Sequence, residues 1–465
     1  MFPNFLSSDV LAEKLDTTGL ILSAIASKHG GIKINSFKDL QTIIRAGLAK
    51  KFLAIGDQIS WERTSAMTVT KGNSQSGTTG ITAVSVDRDS FLHAVGTAHN
   101  GNYEFYWDGA VWLFNNEPVE LSAYGITASG TPALGDEIVV HETASTVIAD
   151  VIGIDEEIPS DPKYTHSVTL QLHDCFTSLQ FDEREALFYA ESAMPAGTYH
   201  FTLREQSWYA ADVNKTFEFT LTQALAAGSQ ICVTNAYNAA ITSGKVKTYS
   251  GGMSTTAIET VDITEGNGGT DLGDVRNALV GQNTNSIQRA LLGSNNWANS
   301  AMRQWLNSSA AAGSVWTPKT KFDRPPSWVS SIAGFLNGMD EDFVKAVGTV
   351  KKTTALNTVT DGGGKVESDE RFFLLSRSEV YGGNEVAGGE GAAYSYYADY
   401  SDLSGAGTGA DTNRIKYRNN AVQYWWLRSP NVPNAYYVRL VYTAGNVYNY
   451  YANNSYGVAP ACAII

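Results

Sequence analysis

The sequence predicts a mixed α+β protein, and three observations predict it. Apolar residues recur at helical spacing within residues 1–53, a Gly-, Thr- and Ser-rich stretch over 64–147 alternates with period two, and strand and short-helix signals intermingle over 148–465. The middle stretch reads as an insertion. AIGDQISWE (54–62) and VIADVIGIDEE (147–157) have the pattern of partner strands, so residues 64–147 leave and re-enter the scaffold at one hairpin end. The predicted organisation is therefore an N-terminal helical segment over 1–53, an inserted β-sandwich-like domain over 64–147, and a scaffold domain of 54–63 plus 148–465.

The helical segment begins with Ser8 or Asp9 capping a helix through Leu15. Thr18 and Gly19 precede LILSAIASK, which Gly30 and Gly31 close; this piece is too apolar for a solvated helix and reads as packing within a bundle or between subunits. Ser36 caps FKDLQTIIRAGLAKKF, where Phe37, Leu40, Ile43, Ile44 and Leu48 share one face.

In the insertion, YEFYWDGAVWLF is a hairpin signal with a type I′ turn at Asp108-Gly109, and ELSAYGITASG and DEIVVHETAS add strands. Beyond it, THSVTLQLHD reads as a strand and FDEREALFYAESAM as a helix. GTYHFTLRE and KTFEFTLTQ form a hairpin, GSQICVTNAY and KVKTYS are strands, and Ser250–Gly273 is a loop. SNNWANSAMRQWLN reads as an amphipathic helix capped by Asn295 or Asn296, with Trp297, Ala301 and Trp305 in phase. Another helix starts at Asp340, RFFLLSRSEVYGG is a strand and turn, and Gly382–Gly409 is a long loop with few core residues.

Composition excludes several classes. Charged residues are 17% and hydrophobic ones 43%, which is a globular balance. The net charge of −14 and the lack of a basic run argue against nucleic acid. There is no membrane-length apolar run, and MFPNFLSSDVLAEKL lacks the form of a signal peptide. Cys175, Cys232 and Cys462 are odd in number and far apart, which indicates a reducing compartment and buried thiols.

The C-terminal stretch from Tyr424 is the most informative. Seven Tyr, at 436, 437, 442, 448, 450, 451 and 456, fall within 21 residues, with Asn446, Asn449, Asn453 and Asn454 among them. Tyr supplies rigid contact area with a polar tip and Asn supplies adaptable hydrogen bonding, the composition of a combining surface. Trp425, Leu427, Arg428 and the Val458–Ile465 end read as frame.

Four stretches in order, NWANSAMRQWLN, FFLLSRSEVYGG, YWWLRSP and YGVAPA, resemble a large family of bacterial and phage proteins with a C-type-lectin fold, related to the sulfatase-modifying, formylglycine-generating fold. The likeness covers about residues 150–465, with AIGDQI as its first strand. The C-terminal stretch further resembles the variable proteins of diversity-generating retroelements, in which template adenines are randomised. NAYYVRLVYTAGNVYNYYANNSYG then reads as an Asn-rich template with many Asn changed to Tyr, and one, at 440, to Leu.

The resemblance implies a C-type-lectin-like α+β domain carrying the small all-β, immunoglobulin-like insertion. Within it lies a variable region over 431–457 whose side chains project from one face. It implies as ligand-binding residues Tyr436, Tyr437, Leu440, Tyr442, Asn446, Tyr448, Asn449, Tyr450, Tyr451, Asn453, Asn454 and Tyr456. Val438, Arg439, Val441, Gly445, Val447, Gly457 and Val458 would hold the scaffold.

Catalytic signatures are absent: there is no GxSxG, HExxH, P-loop or CxxC, and all seven His lie at or before His200. The formylglycine-generating relatives use a cysteine pair near the C-terminus, where this chain has only Cys462. His166 and His173 flank one strand on opposite faces, and Asp361, Glu367, Asp369 and Glu370 lack the spacing of a known Ca²⁺ loop and read as a solvated cluster. No catalytic residue, metal or cofactor is expected. The expected function is a non-enzymatic receptor-binding protein of a phage tail, or the same module in a prophage, directed at a bacterial surface protein or glycan. Its place is the virion, or the cytoplasm before assembly. The N-terminal helices suit a homo-oligomer, and the resemblance favours a trimer. The 64–147 domain reads as a spacer or a glycan-directed module. The alternative class is a formylglycine-generating-type enzyme or a calcium-dependent lectin.

Overall fold

A computed structural model describes residues 32–33, 36–95, 101–205, 210–235, 239–277, 283–397 and 412–465. Strand makes up 39% and helix 15% of the described residues, so the fold class is mixed α+β with sheet predominant. The chain divides into two compact units, one of Met1–Val151, Leu336–Gly348 and Ile464–Ile465, the other of Ile152–Phe335 and Thr349–Ala463. No described helix is long and apolar enough to cross a membrane.

In the first unit, strand Gln58–Asn73 pairs antiparallel with strand Asp136–Ile154, from Gln58↔Asp150 to Asn73↔Asp136 with a one-residue register shift between Thr64 and Ala66. The expected pairing across the insertion is thus present, and it continues into the insertion as one ribbon. Gly101–Trp107 pairs with the second of these strands, and Trp112–Phe114 and Glu117–Val119 follow. Ile81–Val86 and Ile126–Gly130 form a separate two-stranded sheet. Ile81, Phe91, Tyr103, Phe105, Leu121, Ile126, Ile138 and Val140 share one core.

Two sequence expectations fail here. The insertion is not all-β, because Arg88–Val95 is a helix with Phe91 fully buried, and Asp87 accepts from the Ser90 N–H at its start. The Asp108-Gly109 hairpin is not a two-residue turn. Asp108 Oδ1 accepts from the N–H groups of both Ala110 and Val111, so its side chain closes a longer loop between Trp107 and Trp112.

Ser36 caps helix Phe37–Arg45 as expected, accepting from Asp39 N at 3.3 Å. Its apolar face is covered within its own unit: Phe37 packs edge-on to Trp61 at 5.7 Å and against Phe343 at 5.0 Å. Phe343 belongs to helix Glu341–Ala346, capped by Asp340 as expected. The two helices expected before Ile32 lie outside the described residues.

In the second unit, residues 187–275 make two four-stranded sheets around one core of Phe188, Tyr199, Phe201, Phe217, Phe219, Ile231, Val233, Val246 and Ile263, among others. The expected hairpin is present, from Gly197↔Leu221 to Leu203↔Lys215. The stretch over 250–273 is not a loop: Glu259–Asp262, Thr264–Glu265 and Thr270–Val275 are strands, with Ile263 and Val275 pinned in the core.

FDEREALFYAESAM is not a helix. The N–H groups of Ala186, Leu187 and Ala190 donate across to Phe322, Ile231 and Ser229 instead of back along the segment, and Phe188–Tyr189 is a strand. The Trp-bearing helix runs Ala301–Leu306 and is capped by Ser300, not by Asn295 or Asn296. Arg377–Tyr381 is a helix with a full capping box, Ser376 with Glu379, where a strand and turn were expected.

The sheet that carries the C-terminal region has five strands: β1 (Thr177–Gln180), β2 (Trp425–Pro430), β3 (Tyr437–Val441), β4 (Val447–Tyr451) and β5 (Ser455–Val458), in the order β1-β5-β2-β3-β4. Strand β4 is therefore an edge.

Candidate functional site

Strands β3 and β4 pair as Tyr437↔Tyr451, Val438↔Tyr450, Arg439↔Asn449, Leu440↔Tyr448 and Val441↔Val447. Directly opposed residues share a face. Tyr437, Arg439, Asn449 and Tyr451 therefore lie on one side of the sheet, and Leu440, Tyr448 and Tyr450 on the other. The proposed variable side chains do not project from a single face, which corrects the expectation. The physical reason is the period-two pleat: adjacent tyrosines such as Tyr450 and Tyr451 must point oppositely.

The rings nevertheless form one connected series. Tyr448 meets Tyr442 at 5.9 Å, Tyr442 meets Tyr424 at 4.6 Å, and Tyr424 meets Tyr456 at 5.2 Å. Tyr456 meets Tyr450 at 5.1 Å, Tyr450 meets Tyr451 at 5.3 Å, Tyr451 stacks on Tyr437 at 5.2 Å, and Tyr437 meets Tyr436 at 4.4 Å. The step from Tyr450 to Tyr451 carries the series from one face to the other around the edge strand. Each aromatic pair contributes about 0.5–1.5 kcal/mol beyond area burial, so the rings partly order one another. Burial and neighbouring tyrosines push the Tyr436 and Tyr456 hydroxyls upward, and a hydrogen bond with Tyr442, then burial, pushes Tyr424 up to about 12.

Exposure sorts the candidates. Tyr448 is the most open, at 48%. Tyr436, Tyr437, Tyr442, Asn446, Asn449, Tyr450, Asn453, Asn454 and Tyr456 are half-buried. Leu440 is a correction: at 0% exposure, opposite Trp426 in β2, it is frame and not surface. Tyr451 is also buried, at 8%, beneath the other rings. Asn453 is tied down: its N–H donates to Leu292 O at 3.2 Å, and its amide bridges Leu292 O and Arg184 Nε. Tyr424 belongs to the series although the template reading omits it. The signal for it was its place two residues before Trp426, next to the start of β2.

The backbone beneath these side chains is held by buried polar groups. Asn295 Nδ2 donates to Asn434 O at 2.7 Å and Tyr437 O at 3.0 Å, and Asn357 Nδ2 donates to Asn295 Oδ1 at 2.8 Å. Asn357 and Asn296 both donate to Asp361 Oδ2, and Arg289 pairs with the same carboxylate. Asp361 is thus a filled, buried anchor and not part of a solvated cluster. Glu370 is buried too, on Arg303 and the Trp297 indole, while Glu367 and Asp369 pair with Lys351 at the surface. Tyr381 donates to Gly445 O at 2.7 Å, holding the β3–β4 turn where Gly445 has φ 85°. Gly457 has no room for a side chain, since a Cβ would lie 2.5 Å from Cys175 Sγ.

Trp425 and Trp426 are fully buried, their indoles donating to Arg414 O and Leu179 O at 2.9 Å. Arg428 is wholly buried. Its guanidinium grips Glu379, which also pairs with Lys352; Lys352 pairs in turn with Glu157 and donates to the Tyr394 hydroxyl. Against desolvation, Arg428 and Lys352 hold the Glu379 carboxyl down at about 2. Tyr394 and Tyr397 are core residues, and Glu390 is fully buried. The described part of Gly382–Gly409, up to residue 397, is a loop as expected, but Glu390, Tyr394 and Tyr397 anchor it in the core.

Cys175, Cys232 and Cys462 are buried free thiols; burial pushes Cys175 up to about 12 and Cys232 to about 11, and raises Cys462. Among the described residues, no group of three or more His, Cys, Asp or Glu could hold a metal ion.

Residues 256–465 match a sequence family described as a domain of unknown function (DUF6273). The tyrosine series and the side chains that hold its backbone over 285–445 fall within that match. Comparison with curated proteins and with solved structures finds no match.

Proposed function

We propose that the second unit is a C-type-lectin-like binding module whose Tyr- and Asn-rich surface recognises a bacterial surface molecule, as a phage receptor-binding protein does. The surface residues are Tyr424, Tyr436, Tyr437, Tyr442, Asn446, Tyr448, Asn449, Tyr450, Asn454 and Tyr456, with Tyr451 as their support. The observation that carries the reading is the division between side chain and backbone. Eight tyrosine rings touch chiefly one another, while Asn295, Tyr381 and the buried groups behind them hold the main chain. Exchange of the outer rings then alters the ligand and leaves the fold. Rigid aromatic anchors with adaptable amides recognise targets at low entropic cost, and several copies on one particle would raise a weak single-site affinity. A variable protein of a diversity-generating retroelement is the gene-level form of this proposal.

The test is the triple variant Tyr436→Ser, Tyr448→Ser, Tyr450→Ser. Adhesion of the protein to bacterial cells should be lost while cooperative thermal unfolding persists. A folded triple variant that adheres unchanged would sink the proposal. At the DNA level, an Asn-codon-rich near-copy of the 3′ end beside a reverse-transcriptase gene should be found, with differences confined to adenines.

A further inference from the structure

We infer that Arg439 and Arg377, which share the carboxylate of Glu385, form a subsite for the carboxylate of an acidic saccharide seated against Tyr437. This rests on the reading of the tyrosine surface as a binding surface.

Glu385 Oε1 accepts from Arg377 Nη1 at 2.7 Å and from Arg439 Nε at 2.7 Å, and Oε2 accepts from Arg439 Nη2 at 3.1 Å. Two guanidiniums on one carboxylate leave an excess positive charge, in a chain whose net charge is −14. The Glu385 side chain is only 4% exposed, whereas Arg377 and Arg439 reach the surface at 20% and 18%. The rest of the Arg439 fork is loosely satisfied. Its Nη1 lies 3.4 Å from Asn449 Oδ1 and its Nη2 3.3 Å from Asn431 Oδ1, both longer than a well-formed N–H···O bond. Arg377 Nε is buried and has no hydrogen-bond partner, so it is Arg377's charge, not an open edge, that adds to the subsite. A planar anion meets a guanidinium edge-on through two parallel bonds, so a carboxylate matches the edge that the two amides now occupy weakly.

The surroundings point to a sugar. Arg439↔Asn449 and Tyr437↔Tyr451 are alternate pairs of one ladder, so they stand side by side on one face. The Tyr437 and Tyr451 rings are near parallel, 18° apart, with Tyr451 backing the half-buried Tyr437. A pyranose ring offers a flat C–H face to Tyr437, hydroxyls to the amides of Asn431 and Asn449, and its carboxylate to the arginines. An acidic peptide side chain supplies only the last of these.

The experiment titrates the full chain with oligogalacturonate, with its fully methyl-esterified form and with poly-L-glutamate, by calorimetry at low salt. Oligogalacturonate should bind, and loss of its charge in the ester should weaken binding about tenfold or more. Arg377→Gln should weaken it in the same sense. Glu385→Gln, which removes the competing carboxylate, should leave it equal or tighter. Equal binding of the ester, no binding of oligogalacturonate, or preference for poly-L-glutamate would overturn the assignment. Equal loss in both variants would as well, because a merely structural triad predicts it. Cell adhesion separates the two levels: adhesion lost in the triple tyrosine variant but unchanged in Arg377→Gln overturns the subsite alone. Adhesion that survives in the triple variant overturns the surface reading on which the subsite rests.

Discussion

The second unit contains two dense side-chain assemblies built on opposite terms. Around Arg428, charged groups meet charged groups with full burial: Arg428, Glu379, Lys352, Glu157 and Tyr394 each have a required partner. Across β3–β5, tyrosines meet tyrosines at ring distances of 4.4–5.9 Å, most of them half-buried, with no partner that must be one residue type. Removing one member of the first assembly strands a charge in the interior. Removing one member of the second leaves a gap beside water. The difference teaches where substitution is tolerated: sequence freedom follows the cost of an orphaned partner more than it follows depth alone.

The comparison breaks most sharply at Glu379. Glu379→Gln leaves two buried cations short of a carboxylate and should cost about 3–5 kcal/mol, read as a fall in the urea midpoint. Leu440→Ala comes next. Although the template reading placed it among the variable positions, its full burial against Trp426 predicts a loss of about 2–5 kcal/mol in the same assay. A protein that tolerates this change without loss would return Leu440 to the variable set.

The third prediction concerns pH. Burial raises the Glu185 carboxyl from 4.5 to about 7, although Arg289 opposes the shift. Folding thus favours its protonated form, and this contribution is complete below pH 4.5 and lost as pH rises through about 7. Glu379 tilts the curve the other way: its contribution is complete above pH 4.5 and lost as pH falls towards about 2. Glu185→Gln should flatten the decline between roughly pH 5 and 7, a difference on the order of 2–3 kcal/mol in stability measured by denaturant titration at each pH. The smallest effect belongs to the surface. Tyr448→Ser should change stability by no more than about 0.5 kcal/mol while reducing adhesion to cells.

Much of this organisation was legible in the sequence. The paired strands that flank the insertion were readable because AIGDQISWE and VIADVIGIDEE keep one alternation. Ser36 and Asp340 announced their helices as caps. The frame role of Trp425, Leu427 and Arg428 followed from an unbroken buried run. What escaped reading had non-local causes. FDEREALFYAESAM has helix-forming composition, but its N–H groups are claimed by Phe322, Ile231 and Ser229, distant in sequence. Which tyrosines of β3 share a face with which of β4 depends on the register of the two strands, which the repetitive Tyr/Asn pattern does not specify. Tyr394, Tyr397 and Glu390 sit in a Gly- and Ala-rich stretch whose composition suggests solvent, and only the partners Glu157, Gln171 and Ser429 explain their burial. The helix at Arg377 could have been found, because Ser376 and Glu379 spell a capping box.

The tyrosine series also ends on an indole: Tyr456 lies 5.0 Å from Trp426. Rings this close exchange electronic excitation far faster than they emit, and tryptophan is the lower-energy acceptor. Light absorbed at Tyr448 therefore has an uninterrupted route through Tyr442, Tyr424 and Tyr456 to Trp426. A bound molecule that reorients these rings should shift the balance of tyrosine and tryptophan emission, an optical readout that needs no added label.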